Sequence, residues 1–132
     1  MVDSIYSKNL PTHENPIPHA AKVNNLIMSS AISGKDKNTG LYSPEKESQI
    51  KIAFKYFREL LASCNCSPQD VIKIDMFFQD KNDRTLVNKF WEETYPNINL
   101  RPARHSHQSA LPKGCIFQIT FTALKKDSLE GK

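Results

Sequence analysis

Residues 101–123, RPARHSHQSALPKGCIFQITFTA, hold the side chains best suited to chemistry. Arg104 follows a proline turn, and its planar guanidinium suits a carboxylate because it can make two parallel charge-assisted hydrogen bonds. His105 and His107 form an H-x-H pair, a spacing that zinc accepts. The sequence offers no third ligand, so no metal is expected there. Cys115, Phe117, Ile119, Phe121 and Ala123 alternate with Ile116, Gln118, Thr120 and Thr122, the period of a strand with one face packed on a core. Gln118 falls on the face that the core does not claim. In the preceding run the same parity puts Arg104, Ser106 and Gln108 on one side and His105, His107 and Ser109 on the other, with residues 111–114 as the connecting loop. Two antiparallel strands would then present Arg104 and Gln118 to one pocket.

Other elements must hold this stretch in place. Residues 1–14 are polar and broken by Pro11, which reads as an arm ordered only by docking. Residues 20–23 and 26–32 read as a hairpin through Asn24-Asn25, since asparagine tolerates the positive φ that tight turns need. Residues 33–40 are dense in turn formers and charge and read as a surface loop. Ser43-Pro44 opens the clearest helix, with Ser43 as N-cap and Ile50, Ala53, Phe54, Phe57, Leu60 and Leu61 at helical spacing. Ile72, Ile74, Met76 and Phe78 form one face of a third strand. Asp83 is expected to cap a second helix carrying Leu86, Val87, Phe90 and Trp91, ending by Pro96. The order β-β-α-β-α-β-β describes an α+β domain over residues 15–124, with two helices on one face of a mixed sheet and a polar tail at 125–132. The other face, with Ile72 and Ile116, would expose apolar surface, which suggests a homo-oligomer.

Composition narrows the class. A chain of 132 residues supports one domain with its own core. The net charge of +4 is spread over scattered lysines and gives little support to a nucleic-acid partner. No apolar run approaches the roughly 18 residues that span a bilayer, and the start lacks a signal-peptide pattern, so no membrane partner and a cytoplasmic location are expected. Three cysteines, Cys64, Cys66 and Cys115, fit a reduced compartment.

Four segments carry a likeness. Asn15-Pro16-Ile17-Pro18-His19-Ala20, Asn25-Leu26-Ile27-Met28-Ser29-Ser30, Pro102-Ala103-Arg104 and Leu111-Pro112-Lys113-Gly114 occur in the order and at the spacing of the Rid family, also called YjgF, the reactive-intermediate (enamine/imine) deaminases. The resemblance covers residues 15–124. It implies a chorismate-mutase-like fold, a homotrimer with a central barrel, and clefts between subunits that take small 2-imino or 2-oxo carboxylates without a cofactor. Members with activity hydrolyse 2-imino acids to 2-oxo acids and ammonia. Carried over by position, Arg104 matches the carboxylate clamp, Ser30 a cleft serine, and Gln118 the position where active members carry the carboxylate that activates water. Ile17 stands where a tyrosine is common in the active branch, and backbone near Cys115 would position the imine. Arg104 read without the resemblance could equally anchor a subunit interface. Two functions follow from the pattern: a deaminase in which Arg104 and Gln118 are the catalytic pair, and a non-catalytic trimeric protein that binds small carboxylates. An RNA-directed activity ranks below both, because the sequence shows no catalytic His/Glu/Lys constellation.

Overall fold

A computed structural model describes residues 1–126. The tail read at 125–132 therefore lies largely outside the described residues. The strands are β1 (Asp3–Ile5), β2 (Ala20–Val23), β3 (Leu26–Ser29), β4 (Ile32–Ser33), β5 (Val71–Phe78), β6 (Ala103–Gln108) and β7 (Phe117–Leu124), and the helices are α1 (Lys46–Ser63) and α2 (Asn88–Thr94). They build one mixed sheet in the order β1-β2-β3-β7-β5-β6, with β4 paired to β7. Both helices contribute to the core on one face, as the alternation of apolar residues predicts. Phe54 of α1 stacks on Phe90 and Phe117, and Phe57 meets Phe121 edge-on at 5.5 Å. Such contacts join helix to sheet and each aromatic buries a large apolar area.

The central strand decides how the rest is arranged. β7 runs antiparallel to β3, β4 and β5, while β5 and β6 are parallel, joined by a crossover that contains α2. The expected direct pairing of residues 103–108 with 117–124 is therefore corrected: β5 lies between them. In register, Ile74 matches Arg104 on one side and Phe121 on the other, whereas Phe77 matches His107 and Gln118. Ile74 and Phe121 are core residues. Arg104 thus lies on the helix-bearing face and Gln118 on the opposite, open face, because successive residues alternate across a sheet.

Several local expectations are also revised. Residues 3–5 add a strand to β2, and the arm behind them is docked: Leu10 is buried and the Ser7 and Ser63 hydroxyls are 2.9 Å apart. The second strand breaks after Ser29, so 26–32 becomes β3 and β4. Helix α1 has Glu45 at its N-cap, and Ser43 instead accepts a hydrogen bond from the Glu45 N–H in the preceding turn. A register shift between Val71 and Lys73 turns Ile72 outward, where it is 52% exposed. The second helical segment starts as a 3₁₀ turn, Lys81–Val87, capped by Asp80. Asp83, expected as its cap, is buried and pairs with Lys46 at 3.0 Å. The open face is less apolar than expected: Ile116 packs against the core, and the exposed rows carry Gln118, Thr120, Thr122, Asp75, His105 and His107 beside Met28 and Phe77.

Candidate functional site

Gln118 lines a cleft of about 730 Å³, a volume suited to a small metabolite. One wall comes from the docked arm, including His13, Glu14 and Ile17. Another comes from residues 31–42, and the floor from 112–114 and Gln118. The arm keeps its shape through His19, which is buried and bonded at both ring nitrogens. Its Nδ1 accepts from the Ser7 N–H at 2.9 Å, so the ring proton sits on Nε2 and is donated to the Pro11 carbonyl at 2.7 Å. On the far wall a bridge between Lys35 and Tyr42 closes residues 36–41 into a loop, so the segment read as a plain surface loop is part of the site.

Burial sets the protonation of several groups here. The His13 ring sits 5.2 Å from that of His19 with the planes tilted by 42°, and burial, followed by its neighbours His19 and Lys35, lowers its pKa from the usual imidazole value, leaving a neutral base at pH 7. Burial raises the Tyr42 phenol, which also meets the Ser33 hydroxyl at 3.3 Å. Cys115 is raised by burial as well, so it remains an unreactive thiol whose Sγ lies 3.5 Å from the Phe117 carbonyl. Lys35 adds a cation, 3.7 Å from Glu14 and over the Tyr42 ring. His13, Lys35 and Tyr42 were missed by sequence reasoning, since only the long-range docking of two loops brings them together.

The sequence-derived site residues divide into two groups. Ile17 and Gln118 line the cleft, and buried Cys115 is adjacent to Gly114 in its floor. Ser30 is partly buried beside it and donates its hydroxyl to the Pro18 carbonyl at 2.8 Å, which fixes the turn before Ala31. Arg104 lies apart on the other face of β6. Its guanidinium donates to Asn88 Oδ1 at 3.0 Å and to the Arg84 carbonyl at 3.1 Å, and its Cζ sits 5.2 Å from the centre of the Trp91 ring. Burial pushes its pKa down, yet arginine starts so high that it stays charged. One chain therefore does not join Arg104 and Gln118 in a single pocket.

His105 and His107 occupy the open face with Asp75 of the adjoining strand, a third potential ligand hidden from the sequence because it is 30 residues away along the chain from His105. The His107 hydrogen bond is the largest cause of the lowered pKa of Asp75.

A model of the family described as Endoribonuclease L-PSP matches residues 7–125. This chain is a Rid/YjgF family protein. The Rid chain is 31% identical over 123 residues to human 2-iminobutanoate/2-iminopropanoate deaminase, covering 92% of this chain and 88% of the relative. It is 26% identical over 128 residues to a RutC family protein of Pyrococcus horikoshii, covering 96% and 100%. A solved Rid-family structure from Yersinia pestis superposes with a TM-score of 0.87 at 24% identity, over 95% of this chain and 100% of the other. The YjgF-like fold expected from the four segments is thereby established. Among the described residues no helix is long and apolar enough to cross a membrane.

Proposed function

We propose that this Rid protein binds small 2-imino and 2-oxo carboxylates in the cleft at Gln118 and hydrolyses 2-imino acids slowly to 2-oxo acid and ammonia. The observation that carries the reading is that Gln118 lines a metabolite-sized cleft with Ile17 and His13; the resemblance assigns Gln118 the position where active members carry the water-activating carboxylate. Water adds to the imine carbon, a proton moves to nitrogen, and the carbon–nitrogen bond breaks to release ammonia. The Gln118 amide can hold the water by accepting or donating a hydrogen bond, but it carries no proton through the cycle. His13 is a base lining the same cleft and takes part of that duty. The carboxylate clamp is Arg104 supplied by a second copy, which makes the cleft complete only in a homotrimer. Two facts support this arrangement: β6 is an edge strand, and Arg104 shares no pocket with Gln118 of its own chain. Partial exposure leaves Arg104 free to exchange its Asn88 and Arg84 partners for a ligand.

The second reading is a trimeric binding protein without turnover, favoured by the amide at 118. Purified protein mixed with freshly generated 2-iminobutanoate separates them. Slow acceleration of imine loss over buffer is expected, well below that of relatives with a carboxylate at this position; loss at the buffer rate would leave only the binder.

A further inference from the structure

We propose that Asp75, His105 and His107 form a binding site for one zinc-class divalent ion per chain on the open face of the sheet. Asp75 and His105 are directly paired residues on the parallel strands β5 and β6, and His107 follows two positions along on the same face. One ligand atom from each lies within 4.8 Å of the other two. Zinc–ligand bonds near 2 Å in a tetrahedron place ligand atoms about 3.3 Å apart, so modest side-chain rotation closes the set. The backbone beneath need not move, because two hydrogen-bonded strands already hold the three Cβ atoms on one side.

The neighbouring groups fit this use. Phe77 stacks on the His107 ring, with centroids 4.8 Å apart and planes 15° from parallel, which limits how that imidazole can turn. The two histidine rings lie 4.1 Å apart. His107 Nε2 is 2.9 Å from Asp75 Oδ1, and this hydrogen bond would give way to two bonds to the ion. Lys73 Nζ stands 3.6 Å from the same carboxylate oxygen but is half exposed, so it can swing into solvent when a cation arrives.

Two imidazole nitrogens and one carboxylate oxygen are the donor set that borderline ions prefer. Magnesium and calcium, which need six or more oxygens, are poorly served. Three protein ligands leave a position open to water. The site lies on the row that runs from His107 across Phe77 to Gln118, two strand spacings or about 10 Å from the cleft residue, and it does not depend on the deaminase reading.

Isothermal titration of chelator-treated full-length protein with zinc tests the proposal, with magnesium as the control and circular dichroism to verify folding of each variant. One zinc per chain with a dissociation constant of about 1 μM or lower is expected, with no magnesium binding. Asp75→Asn should weaken zinc at least tenfold, and the double variant His105→Ala/His107→Ala should abolish it. Absence of zinc binding, equal affinity in the folded double variant, or one zinc per three chains would each overturn the site.

Discussion

Gln118 differs from a carboxylate side chain by one terminal group, and that group determines whether the residue can move a proton as well as hold a water. General acid–base help is typically worth a hundred- to ten-thousand-fold, roughly 3–5 kcal/mol of barrier. The open-face position of Gln118 was legible from the alternation of residues 115–123, and the structure agrees. The face occupied by Arg104 was not: the sequence reading put it in one pocket with Gln118, and the structure puts it on the opposite, helix-bearing face. Strand order is non-local, and nothing in residues 101–123 announces that β5 inserts between the two runs. Within its own chain Arg104 ties β6 to Asn88 and to the Trp91 ring of α2, so two roles compete for one guanidinium. Replacing it with lysine keeps the charge and loses the paired donors. Binding of 2-oxobutanoate, followed by titration calorimetry, should weaken about tenfold in Arg104→Lys while circular dichroism stays the same. An unchanged dissociation constant would make Arg104 a structural bracket only.

Among the elements, α1 was the most legible, since its apolar spacing continues for several turns and all of Ile50, Ala53, Phe54, Phe57, Leu60 and Leu61 are buried. Its start shifted because Pro44 follows Ser43 within a turn that places Glu45, two residues later, at the N-cap. Capping and bulging depend on one or two hydrogen bonds, so the N-caps and the Ile72 register were less legible than the elements themselves. What the apolar pattern conceals is Gln49, a polar residue that is buried within the helix. Its Nε2 donates to the carbonyls of Ser43 at 2.7 Å and Gly114 at 2.8 Å, and its Oε1 accepts from the Ile116 N–H at 3.0 Å. It therefore holds the floor of the cleft to α1. Gly34 allows the close approach on the neighbouring side, since a Cβ there would come within 2.1 Å of the Gln49 carbonyl oxygen. Gln49→Leu fills the space but leaves those backbone groups without partners, at a cost of about 3 kcal/mol and on the order of 10 °C in Tm. A thermal melt within a degree or two of the parent would show that water satisfies them.

At the scale of the whole molecule, the sheet exposes one face that its own helices leave bare, and β6 ends it with unpaired backbone groups. The open face is mixed in character, so assembly has to draw on edge pairing as well as on the exposed apolar residues it carries, such as Met28 and Leu124, and on Ile72. Light scattering at micromolar concentration should return close to three times the 15.0 kDa chain mass. A stable monomer would remove the shared cleft and with it the role proposed for Arg104. The α+β class and the order of its main elements could be read from periodicity and turn residues, whereas the cleft could not, because its walls come from the docked arm and from residues 31–42, which meet only through tertiary contacts. The central claim is that this cleft is a Rid deaminase site held back by an amide. Its most direct test is the rate of 2-iminobutanoate hydrolysis by Gln118→Glu beside the parent protein, under one buffer and at equal chain concentration. The account predicts a gain of at least tenfold, moving toward the hundredfold or more that acid–base help supplies. A Gln118→Glu protein that keeps its fold yet turns over no faster, or more slowly, than the parent would contradict it.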